Sequence, residues 1–130
     1  NIMAKNRTFD PNIWMPFYIG DTLADTQTLT CVEFGALVLI RAFYWRNQGP
    51  IINNDKRLAL VCKLSIEEYR ALKGSIFEYF QQQDDKLISK ELDQLITEAW
   101  GYKERASERG KKGAEARWGK RKKNGGSNPK

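Results

Sequence analysis

The stretch Thr30–Trp45, TCVEFGALVLIRAFYW, carries no charged or strongly polar side chain between Phe34 and Ile40. Thr30 and Glu33 have the spacing of a capping box, in which hydroxyl and carboxylate each satisfy a backbone N–H at a helix start. Leu29 and Phe34 are placed as the hydrophobic staple around it. Apolar residues recur at Val32, Ala36, Leu39 and Phe43 on one stripe and at Leu37, Ile40 and Tyr44 on a second. A helix apolar on nearly all sides is normally buried. A membrane span needs roughly 20 consecutive apolar residues, and Glu33, Arg41 and Arg46 bracket this run too closely. The spacing predicts the central helix of a small soluble domain, with Leu37, Leu39, Ile40 and Phe43 at the middle of the core.

A chain of 130 residues is long enough for one such domain. No secretory signal or membrane-spanning stretch is visible, and Asn1 and Ile2 ahead of Met3 read as processing remnants. The two cysteines, Cys31 and Cys62, are too few for a disulfide framework and point to a reducing, cytoplasmic setting in a bacterial host. The chain has no histidine, which excludes histidine acid–base catalysis and histidine-ligated metal centres. No glycine-rich loop precedes a Lys-Ser/Thr pair, so an NTPase phosphate loop is absent. Asp21 and Asp25 share a face at i, i+4, but nothing nearby completes a cation site, and capping and solvation explain them better. Cys31 lies in the first turn of the central helix without a histidine partner and reads as structural. The expectation is a protein that is not an enzyme and has no metal or cofactor.

Elements follow in a definite order. Residues 1–26 form an aromatic N-terminal arm, in which Pro11 and Pro16 disfavour a continuous helix. Its Phe9, Trp14, Phe17 and Tyr18 are expected to lie over one face of the central helix. Gly20–Thr26 suggests a short helical turn. Gly49 and Pro50 stop the central helix. Ile51–Ile52 is a very short strand. Asn54 caps a second helix over Asp55–Cys62 that buries Leu58, Val61 and Cys62. Ser65 and Glu68 make a second capping box, and a third helix runs to about Phe80 with Tyr69, Leu72, Ile76 and Phe80 inward. Gln81–Gln83, Asp84–Asp85 and Leu87–Ile88 read as a hairpin. From Ser89 a helical period returns through Leu92, Leu95, Ile96, Ala99, Tyr102 and Ala106. Beyond about Arg109 glycine, lysine and arginine dominate.

Helix, short strand, helix, helix, hairpin is the element order of a winged helix, in which the third helix takes the recognition position. A helical bundle with an incidental hairpin has the same order. The expected architecture is mainly α: the arm, a winged-helix-like domain with a C-terminal helix over 27–109, and a basic flexible tail over 110–130. WMPFYIGDTLADT, LTCVEFGALVLIRAFYWRNQGPI, LSIEEYRAL and GKKGAEARWG resemble the YdaU-type prophage family, over Trp14 to Trp118. That family is a domain of unknown function found beside phage replication genes. The resemblance implies a winged-helix-like domain tied to phage replication or its initiation, and no catalytic residues.

Charge divides the chain. Residues 101–130 hold 11 Lys/Arg against 3 Glu, net +8, leaving residues 1–100 with 11 basic and 13 acidic side chains, net −2. A base-reading helix needs cationic or amide side chains. Residues 65–80 offer only Arg70 and Lys73 against Glu67, Glu68 and Glu78. The tail instead gathers Lys111, Lys112, Arg117, Lys120, Arg121, Lys122 and Lys123 around Trp118. Such segments bind phosphates by releasing counterions, and a tryptophan among them stacks on unpaired bases. The sequence reading is a phage or prophage replication accessory or initiator-like protein. It binds DNA with weak sequence preference, including single strands, through these eight residues. The competing reading is an interaction or oligomerisation module that recruits a replication protein. A homodimer is expected because the aromatic arm, the Leu37–Ile40–Tyr44 stripe and the Leu92–Ala106 stripe exceed what three short helices cover.

Overall fold

The computed structural model describes the backbone of residues 14–125 and the side chains of residues 14–116. It contains α1 (Ile19–Asp25), α2 (Cys31–Asn47), β1 (Ile51–Ile52), α3 (Asp55–Cys62), α4 (Ile66–Phe77), β2 (Gln81–Gln83), β3 (Lys86–Ile88) and α5 (Lys90–Gly125). The chain divides into two compact units, Asn1–Ile96 and Thr97–Lys130. Among the described residues no helix is long and apolar enough to cross a membrane.

The first unit is mainly helical, with one small sheet. Side-chain caps set the starts of α2, α3 and α4. The Thr30 hydroxyl accepts from the Glu33 N–H at 3.1 Å, and the Glu33 carboxylate accepts from the Thr30 N–H at 2.8 Å. Ser65 and Glu68 repeat this exchange at 3.1 and 2.9 Å. The Asn54 side chain accepts from the Arg57 N–H at 2.9 Å. α2 stops where Gln48 enters the left-handed region and Gly49 takes φ 150°, a conformation that suits glycine. The chain then enters β1. The sheet order is β1-β3-β2 and both pairings are antiparallel, with Ile51 opposite Leu87 and Gln82 opposite Leu87.

α2, α3 and α4 each pack against the other two. Leu37, Ile40 and Tyr44 of α2 meet a core built with Leu58, Tyr69, Ile76, Ile51, Leu87 and Leu92, all fully buried. Of the two apolar stripes on α2, the core takes the Leu37–Ile40–Tyr44 stripe together with Ala36 and Trp45. Leu39 and Phe43, expected at the centre, are only half-buried, because α3 covers one side of their stripe and leaves the other open. α3 likewise buries Leu58, Ala59 and Cys62, with Val61 half-buried. The Cys62 thiol points to the Ala36 carbonyl at 3.7 Å, and burial pushes it up to about 11.

Polar contacts fix α2 to its neighbours. The Tyr44 phenol donates to Asp93 at 2.5 Å and accepts the Ser89 N–H at 3.0 Å. The Ser89 hydroxyl accepts the Leu92 N–H at 3.1 Å, capping α5. The Ser75 hydroxyl donates to Glu33 at 3.0 Å, so the α2 capping carboxylate also holds α4. With the Thr30 N–H as the leading cause, these donors hold the Glu33 carboxyl below its ordinary range.

The arm differs from expectation. Met15, Pro16 and Phe17 do line a small crevice with Phe34, Leu37 and Val38. Yet Trp14, Phe17 and Tyr18 remain mostly exposed, as do Ile19 and Leu23 of α1. Pro16 lies in a non-helical stretch ahead of α1, and the described part of the arm lays few atoms on α2. Phe9 lies outside the described residues.

The segment expected as a flexible tail has helical backbone from residue 110 to Gly125. Alanine, lysine, arginine and glutamate are strong helix formers. Glu108–Lys112 and Lys111–Glu115 also have the i, i+4 spacing that supports exposed helices. Together these outweigh the glycines.

Candidate nucleic-acid interface

α4 is the helix that the sequence reading expected in the recognition position, and its cations are already engaged. Arg70 Nε lies 3.1 Å from Asp55 Oδ2, and Lys73 Nζ lies 2.8 and 3.0 Å from the two Asp55 oxygens. Asp55 opens α3, so one carboxylate ties the start of α3 to the outer face of α4. The Lys73 ammonium beside it, with Arg70, holds the Asp55 carboxyl below its ordinary range. Lys73 also lies 5.9 Å from the Phe77 ring centroid. The first turn of α4 brings Glu67 and Glu68. The Ser65 N–H keeps the Glu68 carboxyl below its ordinary range. At the hairpin, Asp84 adopts φ 58°, and Asp84, Asp85 and Gln81–Gln83 are all exposed. Phosphate approaching this face meets carboxylates and cations already paired with one.

The second unit, residues 97–130, has helical backbone to Gly125. Lys103 Nζ stands 5.4 Å over the Trp100 ring, a cation–π contact. Lys111 and Lys112 lie on this helix with exposed side chains. Arg117, Trp118, Lys120, Arg121, Lys122 and Lys123 occupy helical backbone positions, and their side chains lie outside the described residues. All eight sequence-predicted residues thus fall on one helical segment. At about 100° per residue they distribute around the axis rather than along one stripe.

Asp55 was missed at the sequence level. It entered the sequence reading only as the first residue of the expected second helix, and its partners lie 15 and 18 residues away, beyond any local pattern. Among the described residues no three or more carboxylate or cysteine side chains gather as a metal site would require.

Comparison with known proteins places the chain. Residues 13–97 match the family described as "Protein of unknown function (DUF1376)". The chain is 30% identical over 104 residues to "Uncharacterized protein YdaU" of Escherichia coli (strain K12), across 80% of this chain and 36% of that protein. It therefore spans about a third of the length of the curated relative it matches. No solved structure matches it. With its two capping boxes, the intervening strand and the hairpin all inside the matched region, the chain belongs to the YdaU-type DUF1376 family.

Proposed function

We propose that this chain is a non-enzymatic replication accessory or initiator-like protein of a phage or prophage. In this reading the first unit is a winged-helix-like scaffold and the basic segment of the second unit supplies DNA affinity. The charge division carries the proposal: +8 in residues 101–130 against −2 in residues 1–100. The engagement of Arg70 and Lys73 by Asp55 agrees with it, because those cations reach phosphate only by leaving a partner. The scaffold reading is supported by the element order and by β1 pairing with the second hairpin strand. Cations distributed around a helix meet phosphates without presenting a fixed edge to the bases, so sequence preference is weak.

If about six cations contact phosphates, log K falls against log salt with a slope near −5 on duplex, less steeply on single strands. Trp118→Ala weakens single-strand binding by about 1–3 kcal/mol through lost stacking and leaves duplex binding nearly unchanged. Fluorescence anisotropy of the full chain, Trp118→Ala, Arg70→Ala and a Lys120/Arg121/Lys122/Lys123→Gln variant, at two salt concentrations, tests this. Abolition of binding by Arg70→Ala, with the fourfold variant unaffected, refutes it.

A second reading, a self-associating interaction module that recruits a replication protein, is favoured by one observation. Trp14, Phe17, Tyr18, Ile19 and Leu23 form a run of exposed large apolar side chains at 51–75% exposure. A homodimer in this reading joins through that run, since the Leu37–Ile40–Tyr44 stripe is already covered within the chain. Absence of DNA binding at low salt, with a dimer in solution, selects it.

A further inference from the structure

An open groove runs between α2 and α3. Its floor is apolar, built from Leu39, Ala42 and Phe43 of α2 and Leu60 and Val61 of α3. Its rim is basic, with Arg46 on one side and Lys56 and Arg57 on the other, and none of the lining side chains is acidic. Leu60 is 75% exposed, although α3 buries its neighbours Leu58, Ala59 and Cys62. Leu39, Ala42, Phe43 and Arg46 follow i, i+3, i+4, i+7, a straight face about 10 Å long. The valley between two packed helices is the shape into which a third helix fits.

Charge decides the occupant. Asp55, next to Lys56 in sequence, has both oxygens occupied by Arg70 and Lys73, so it does not neutralise the Lys56–Arg57 side of the rim. A partner must bring its own carboxylates. A second copy of this groove would set Lys56 and Arg57 against their own counterparts. Nucleic acid suits the rim but not the floor, where four aliphatic side chains and a half-buried Phe43 give phosphate or base edges nothing to bond.

We propose that the α2–α3 groove docks an acidic amphipathic helix from a partner protein. Its apolar anchors, spaced i, i+4, i+7, seat on Leu39, Phe43 and Leu60, and its flanking carboxylates meet Lys56 and Arg57. The mode is helix-in-groove recognition, with anchor burial supplying affinity and the rim selecting charge. It is independent of whether the second unit binds DNA.

The test is an NMR titration of the isotope-labelled full chain, whose per-residue readout separates the groove from the basic segment. The probe is a designed helical peptide of about four turns with leucine on one face and glutamate on both flanks, beside a version with lysine in place of every glutamate. The acidic peptide is expected to shift amides of Leu39–Arg46 and Lys56–Val61. Leu60→Ala weakens it about tenfold by removing an anchor contact. Arg57→Glu weakens the acidic peptide and strengthens the lysine version, a reversal that loss of folding does not produce. Both side chains are exposed, so melting temperatures stay at the wild-type value. Four results overturn the proposal: no groove shifts at about 1 mM acidic peptide; equal binding of the lysine version; a duplex oligonucleotide shifting the same amides; or a changed sedimentation coefficient in Leu60→Ala.

Discussion

Two tyrosines are fully buried, and removing the same atom from each gives opposite results. Tyr44 donates to Asp93 at 2.5 Å and accepts the Ser89 N–H at 3.0 Å. Its 3.4 Å approach to the Ser89 carbonyl is the longer alternative for its single proton. Tyr69, also 0% exposed, has no hydrogen-bond partner for its hydroxyl among the described residues. Tyr44→Phe deletes a bond to a carboxylate and strands the Ser89 N–H at the start of α5. A charged-acceptor bond contributes about 1.5–3 kcal/mol and a stranded buried donor costs about 1–3 kcal/mol. The phenyl ring recovers part of this, leaving a loss of about 2–4 kcal/mol. At a urea m-value of about 2 kcal/mol/M, the midpoint falls by about 1–2 M. Tyr69→Phe removes a hydroxyl desolvated without compensation, so its midpoint stays unchanged or rises. Equilibrium urea unfolding followed by circular dichroism, with m-values compared, measures both. Equal losses in the two variants, or a Tyr44→Phe midpoint within about 0.25 M of wild type, refute this account of the polar core.

Adjacent positions on α2 should separate just as sharply. Ile40→Ala is expected to cost about 2–4 kcal/mol from a fully buried site, and Leu39→Ala, beside the open groove, about 1 kcal/mol. Urea midpoints that rank them the other way place the core on the wrong stripe. Acid should act through Asp55, whose folded carboxyl lies below its ordinary value of 3.8. That contribution is fully present above the unfolded value and is lost as pH falls through the folded one, so the window opens near pH 4 and extends downward. Asp55→Asn is therefore less stable than wild type at pH 6, and the gap narrows at pH 3. An unchanged gap at pH 3 removes the ion pairs from the account.

Local signals carried most of the fold's outline. The starts of α2, α3 and α4 rested on residues at most three apart, Thr30 with Glu33, Asn54 with Arg57 and Ser65 with Glu68, so no distant contact was needed to see them. The hairpin was equally local, an acidic turn between two three-residue strands. The choice between the two stripes of α2 was not local. Both are apolar, and only the packing of α3 and α4 decides that Ile40 is buried while Leu39 is half-open. At the candidate interface the charge division was legible by counting. The engagement of Arg70 and Lys73 was not, since it depends on α3 and α4 bringing residues 55, 70 and 73 together. Glycine misled the reading of residues 110–125. Its helical cost is about 1 kcal/mol per residue against alanine, and the neighbouring helix formers offset it.

The sheet order leaves both β1 and β2 as outer strands. β2 is three glutamines, all exposed. Glutamine rows on an open edge are the raw material of cross-β growth, in which stacked amides lock one chain onto the next. This edge is instead halted by brevity. A three-residue strand offers an incoming chain only two or three backbone bonds, and the tight turn at Asp84–Asp85 closes one end with carboxylates. Any insertion that lengthened the hairpin while keeping its glutamines would turn a harmless rim into a template for fibres.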